Sequence, residues 1–232
     1  IYTTAWDYAD AQGLTSQFDV VGLPKCANID LVKIPFIHAA GSSARFTLVN
    51  QSDIAFNPLK GVINDFNGNV NGYIDTNFIP RTHAIHSTLN DTSLGAFVYD
   101  SVSTGNVIGF YPLAAAGGGN SLIKNIINNY GVRVNTGGSN TSVADTTTEN
   151  RLVCGVRTNA TQALTYLNGV LKATTTQNSS TVPNVNMLVL MNNAEVGFSF
   201  SGYASGEVAF FYHGSGAINQ ANLNTFVGLL LL

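Results

Sequence analysis

Thirteen Asp and Glu, four His and two Cys carry the chain's acid–base, metal and thiol chemistry, and their spacing limits what each can do. His83 and His86 form a His-x-x-His pair. On a helix the two rings would share a face. The run Thr82 to Leu89 reads as a strand, where positions i and i+3 point to opposite faces, so a shared metal is not expected. His38 and His213 stand alone and read as structural. Cleaving a glycosidic bond needs two carboxylates facing one cleft, and Glu149, Glu195 and Glu207 show no spacing that brings two together; Glu207 reads as a surface residue at a strand end. In Gly214-Ser215-Gly216 the second glycine comes one residue too early for a Gly-x-Ser-x-Gly nucleophile elbow. Gly117-Gly118-Gly119 precedes no Lys-Ser/Thr pair and is no phosphate loop. Cys26 and Cys154, far apart in sequence, could bridge in an oxidising compartment but read first as two buried free thiols. No catalytic residue is assigned, and the chain is not expected to be an enzyme.

Two binding chemistries remain. Asp65, Asn67 and Asn69 place side-chain oxygens at alternate positions, as a calcium loop does. Val70 and Thr76 occupy the positions where an EF-hand needs Gly and Glu, so a plain Asn-Gly turn is the expectation, with Ca²⁺ as a weak alternative. Saccharide binding needs an exposed aromatic platform beside polar groups. Tyr111 (before Pro112 and a glycine loop), Tyr130 with Asn129, and Trp6 near the start are the candidates. Against each stands the ordinary place of an aromatic side chain in a sandwich, which is the core.

The elements that would position these groups are mostly strands. β-type runs recur at Ile29–Ile37, Arg45–Val49, Gly72–Thr76, Ala84–Leu89, Leu94–Tyr99, Val107–Tyr111 and Tyr130–Val134. They continue at Leu152–Val156, Ala163–Leu167, Val170–Ala173, Val185–Met191, Val196–Phe200 and Val208–Tyr212, separated by Gly, Asn, Asp and Ser clusters. Asn168-Gly169 between two apolar runs predicts a two-residue hairpin turn. Val208-Ala-Phe-Phe-Tyr212 is apolar on both faces, as a strand covered on both sides must be. A closing helix follows, capped at Ser215 or Gly216, with Ile218, Leu223, Phe226, Val227 and Leu230 along one stripe. Residues 114–121, 136–148 and 174–180 read as loops. Residues 1–27, broken by Gly13, Gly22 and Pro24, read as a lead-in with one helical turn, and 28–232 as a single sandwich.

Composition narrows the partners. Hydrophobic residues are 45% of the chain and charged residues 10%, against roughly 25% charged in ordinary soluble proteins. The ten Lys and Arg are scattered and the net charge is −3, which disfavours nucleic acid. No apolar run approaches the roughly 20 residues of a spanning helix, and no membrane insertion is expected. A chain starting at Ile1 is expected to be processed, truncated or part of a longer polypeptide.

Gly72-Tyr-Ile-Asp-Thr-Asn-Phe-Ile-Pro80, Tyr166 followed by Asn168-Gly169, and Leu188 to Asn193 followed by Phe198 and Glu207 to Leu231 together carry a resemblance. So does the earlier Asp30-Leu-Val-Lys-Ile-Pro-Phe36 with Ala44-Arg-Phe-Thr-Leu-Val-Asn50. Over roughly residues 15–232 the chain resembles the concanavalin A-like (LamG-like) jelly-roll domains of bacteriophage structural and bacterial surface proteins. It departs from them at Ala217-Ile-Asn-Gln-Ala-Asn222, which lacks their acidic residue, and in having few Arg. The resemblance implies an all-β jelly-roll β-sandwich with a short C-terminal α-helix. It further implies a non-catalytic structural or adhesive module of a virion or an extracellular or cell surface, partnered by other subunits or copies of itself, with a carbohydrate-binding lectin module as the alternative. Glucanases of this fold carry Glu-x-Asp-x-x-Glu on one strand, and no glutamate here begins that pattern. Legume-type relatives use Ca²⁺, which keeps Asp65, Asn67 and Asn69 in view. Fold alone does not choose among these roles.

Overall fold

A computed structural model of the chain describes residues 2–39, 41, 45–64, 72–103, 105–111, 120–126, 129–137, 141–144, 150–190, 193–194 and 205–232. The strands are β1 (Phe18–Gly22), β2 (Ile37–His38), β3 (Thr47–Val49), β4 (Ile54–Asn57), β5 (Gly61–Asn64), β6 (Tyr73–Asp75), β7 (Thr92–Ser103), β8 (Gly105–Tyr111) and β9 (Asn120–Ile126). They continue with β10 (Asn129–Thr136), β11 (Thr141–Ala144), β12 (Arg151–Arg157), β13 (Gln162–Leu167), β14 (Val170–Thr176), β15 (Leu188–Val189), β16 (Asn193–Ala194) and β17 (Ser205–Gly214). Three α-helices accompany them: α1 (Tyr2–Ala11), α2 (Pro80–His83) and α3 (Gln220–Leu230).

The strands form two sheets. One runs β14-β13-β12-β7-β17-β1-β2, with the β4–β5 hairpin joined to β17; the other runs β11-β10-β9-β8-β15-β6-β3, with β16 beside β8. Apart from the parallel β16–β8 contact, the pairings are antiparallel. Neighbours distant in sequence, such as β1 with β17 and β7 with β12, give the connectivity of a jelly-roll sandwich.

One hydrophobic cluster lies between the sheets and includes Leu94, Val153, Val208 and Phe211 from the first and Ile108 and Val132 from the second. A second lies on the outer face of the first sheet, where Phe18, Leu152, Phe210 and Tyr212 are covered by Ala5 and Ala9 of α1 and by Phe226 and Val227 of α3. Strand β17 serves both clusters, and a register shift between Val208 and Phe210 explains its uneven alternation. Ala209 and Phe210 both belong to the outer cluster because the irregularity inserts one residue; beyond it Phe211 turns inward and Tyr212 outward. At Gly155 a β-carbon would lie 2.5 Å from Val132 Cγ1 and 2.8 Å from Val134 Cγ2, so the missing side chain lets the two sheets approach.

Several elements differ from the sequence reading. Residues 1–27 hold a ten-residue helix and an interior strand. Gly13 (φ +67°) closes α1: its N–H donates to Asp10 O and that of Leu14 to Ala9 O, the paired bonds of a Schellman ending. Of the expected strand Ile29–Ile37 only Ile37 joins a strand, β2, because Asn28 Oδ1 accepts from Asp30 N and Leu31 N and starts a 3₁₀ turn over Leu31–Lys33. Ala84–Leu89 is irregular, its backbone drawn to Asp19. Strand β11 falls within the expected 136–148 loop, β9 begins within 114–121, and β14 extends to Thr176. Helix α3 is capped not by Ser215 or Gly216 but by Asn219, whose side chain accepts from Ala221 N and Asn222 N; Ser215 Oγ is engaged with Asp91 instead. Val196–Phe200 lies outside the described residues.

Candidate functional site

The aromatic candidates separate by burial. Tyr130 is 2% exposed and belongs to the cluster between the sheets; its alternation in β10 points it inward, which corrects its reading as a surface platform. Asn129 is half-buried within β10, its backbone registered with Ile126 and Ala144. Tyr111 ends β8 beside Ala194, and its side chain lies outside what is described. Trp6 is half-buried; Phe36 stacks on it at 5.5 Å and Phe226 packs at 5.0 Å, so the ring joins α1 and α3 to the segment before β2. The calcium-loop candidates Asp65, Asn67 and Asn69 lie outside the described residues, as do Glu149 and Glu195. Glu207 makes an ion pair with Lys60 at 3.5 Å.

The histidines are dispersed. His83 ends α2, and its Nδ1 accepts from Ile79 N at 3.0 Å. His86 contributes its backbone N–H to Asp19 Oδ1 at 2.8 Å. The expected strand that was to separate the two rings is absent; His83 is held by its own helical turn and His86 by Asp19. His38 is exposed, with Nδ1 3.4 Å from Ala39 O. His213 is 2% exposed, with Phe78 and Phe110 against its ring. Its Nδ1 lies 3.4 Å from Asp19 Oδ2, close without the alignment of a hydrogen bond, and its Nε2 lies 3.3 Å from Thr92 Oγ1. Carboxylate, imidazole and hydroxyl thus follow one another as in a hydrolase triad, but Asp19, His213 and Thr92 are each no more than 2% exposed and no substrate reaches the hydroxyl. The arrangement ties β1, β7 and β17 together. Both cysteines are free. Cys154 is fully buried, and burial pushes its thiol up to about 12. Cys26 is only half-buried, against the expectation of two buried thiols, and its thiol is also raised by burial.

Among the described residues, two concavities stand at the surface. A groove of about 310 Å³ runs between β12, β13 and the start of α3. Thr158, Leu164, Tyr166, Asn219 and Gln220 line it. Tyr166 packs partly on the outer cluster and leaves part of its ring exposed. The Asn168-Gly169 turn forms one end of the groove, with φ values of +49° and +77° as a type I′ hairpin requires. The turn is clamped to β12 by Asn168 Oδ1, which accepts from Leu152 N at 2.8 Å. Tyr166 was noted in the sequence only as part of a hairpin; its meeting with Asn219 depends on packing between elements some fifty residues apart, and no local pattern signals it. The second concavity, of about 210 Å³, is apolar, lined by Leu23, Cys26, Leu31, Ile34 and Phe36. Leu31, Ile34 and Phe36 are 41%, 45% and 46% exposed.

No family model matches the chain, and no curated protein matches its sequence. Its fold is similar to that of several solved structures. A botulinum neurotoxin type C structure, from work on cell entry dependent on interaction with two ganglioside molecules, superposes with a TM-score of 0.59 at 13% identity, over 94% of this chain and 52% of that one. The binding domain of botulinum neurotoxin DC in complex with rat synaptotagmin II gives 0.57 at 13% identity, over 93% and 52%. A Trypanosoma rangeli sialidase mutant displaying trans-sialidase activity gives 0.61 at 11% identity, over 99% and 38%. The chain spans about half the length or less of these structures. At such identities the likeness establishes the fold alone: a jelly-roll β-sandwich with a short C-terminal helix.

Proposed function

We propose that this chain is a non-catalytic carbohydrate-binding module of an extracellular or virion surface. The observation that carries the reading is the groove beside Tyr166: a part-exposed aromatic ring, an amide and a hydroxyl converge on a concavity large enough for a small ligand. The fold neighbours support it, since the type C neurotoxin is described as interacting with gangliosides. That Thr92, the one hydroxyl touching His213 Nε2, is sealed in the core favours binding without hydrolysis. The test is a glycan array probed with the purified chain, in Ca²⁺ and in chelator. Saturable binding is expected, reduced at least tenfold by Tyr166→Ala in a variant that melts as a folded protein. A blank array with folded protein rejects the reading, and loss of binding in chelator alone would assign the interaction to a calcium site instead.

A second reading, a structural or adhesive surface part that associates with copies of itself or other subunits, is favoured by the exposed apolar side chains of Leu31, Ile34 and Phe36. Contiguous exposed apolar surface of this kind marks contact sites.

A further inference from the structure

We infer that the groove takes an uncharged pyranose and discriminates against sugars bearing carboxylate or sulfate; this rests on the carbohydrate-binding reading above. None of the side chains lining the groove carries a charge. Tyr166 offers an aromatic surface with Leu164 beside it, matching the apolar C–H face of a pyranose. Its hydroxyl has no hydrogen-bond partner among the described residues. Thr158 is exposed on the wall. Asn219 spends its Oδ1 on the α3 cap, accepting from Ala221 N and Asn222 N at 3.1 Å each, which leaves its Nδ2 donor for a ligand hydroxyl. Donors and acceptors that suit a sugar's rim are therefore present without a cation.

Two charged residues, Arg157 and Asp91, border the groove at Gly216. Arg157, whose strand forms one wall, turns its guanidinium into the core, donating to Val134 O at 2.9 Å, Gln177 O at 3.0 Å and Asn159 O at 3.2 Å. Arg157 is fully buried, its Nη2 included, and does not line the groove. The N–H groups at the start of α3, which could otherwise draw negative charge, are capped by Asn219. At the Gly216 end a β-carbon would lie 2.8 Å from Asp91 Oδ1. That carboxylate accepts from Ser215 Oγ at 3.1 and 3.2 Å, and its charge repels an anionic ligand entering there.

The test titrates the full chain with paired neutral and acidic oligosaccharides: hexose and N-acetylhexosamine oligomers against sialylated, uronate-containing and sulfated counterparts of the same backbone. Neutral members are expected to bind at least tenfold more tightly. Tyr166→Ala and Asn219→Asp should each weaken them at least tenfold. Asn219→Asp keeps the capping oxygen and removes the amide donor, so its melting temperature should not fall, which separates lost contact from lost fold. Preferred binding of acidic members, lost in both variants, overturns the neutrality inference and leaves the carbohydrate reading standing. Neutral binding unmoved by either variant overturns the assignment to this groove. Absence of binding to every member overturns the carbohydrate reading and this inference with it.

Discussion

Asp19 shows how one residue organises its surroundings. Its Oδ1 accepts from the backbone N–H of Ile85 and His86 at 2.7 and 2.8 Å, and Oδ2 faces His213. Burial pushes its carboxyl up; contact with His213 and the hydrogen bonds from His86 and Ser87 outweigh that and bring it down to about 2, from an ordinary 3.8. A carboxyl depressed in the folded state stabilises the fold when ionised. Its contribution, about 2–3 kcal/mol at about 1.4 kcal/mol per pH unit, is present in full above pH 3.8 and is lost as pH falls through about 2. Asp19→Asn should cost about 2–4 kcal/mol at neutral pH, since it leaves a buried neighbourhood without its charge. Urea unfolding between about pH 2 and 6 checks this: the variant should lose the part of the acid slope that Asp19 supplies. An unchanged slope would remove Asp19 from the acid response.

At the scale of elements, the β13–β14 turn is the joint on which the groove depends. Gly169 adopts φ +77°, and a β-carbon there would lie 2.9 Å from Gln220 O and 3.0 Å from Asn224 Cβ. Gly169→Ala therefore meets both a left-handed backbone and the start of α3. It should destabilise the protein by about 1–3 kcal/mol, read as a lower melting temperature, and should weaken ligand binding at the groove. The turn, β17 and α3 were legible because their signals are local: Asn-Gly for positive φ, a doubly apolar strand, an apolar stripe of helical period. Strand β1 and helix α1 were not. Gly13 looked like a break and is the helix's own terminator, while Gly22 leaves room for the ring of Phe211. The apolar run at Ile29–Ile37 was read as extended because the Asx turn at Asn28 competes with the strand only through a side-chain bond. Among site residues, Tyr130 obeyed strand alternation and entered the core, and Tyr166 acquired its polar neighbours only when α3 packed over the hairpin.

The whole molecule has three layers, in which the α1–α3 pair, the first sheet and the second sheet bury two apolar seams. The layering leaves the segment between β1 and β2 at an edge, where Trp6 and Phe36 close the outer seam and Leu31 and Ile34 face outward around the apolar cavity. A surface so poor in charge has little electrostatic repulsion to keep such a patch from meeting another. If this edge builds assemblies, the mass of the chain in sedimentation should rise with concentration. Ile34→Asp should hold it at monomer mass, because a carboxylate in the contact would have to be desolvated. Ile34 is 45% exposed and lies beside the Trp6–Phe36 stack rather than within it, so the variant should melt within about 1 kcal/mol of the parent. Monomer mass for the parent at every concentration would reject self-association through this edge and leave saccharide recognition at the other end of α3 as the role that uses an exposed surface.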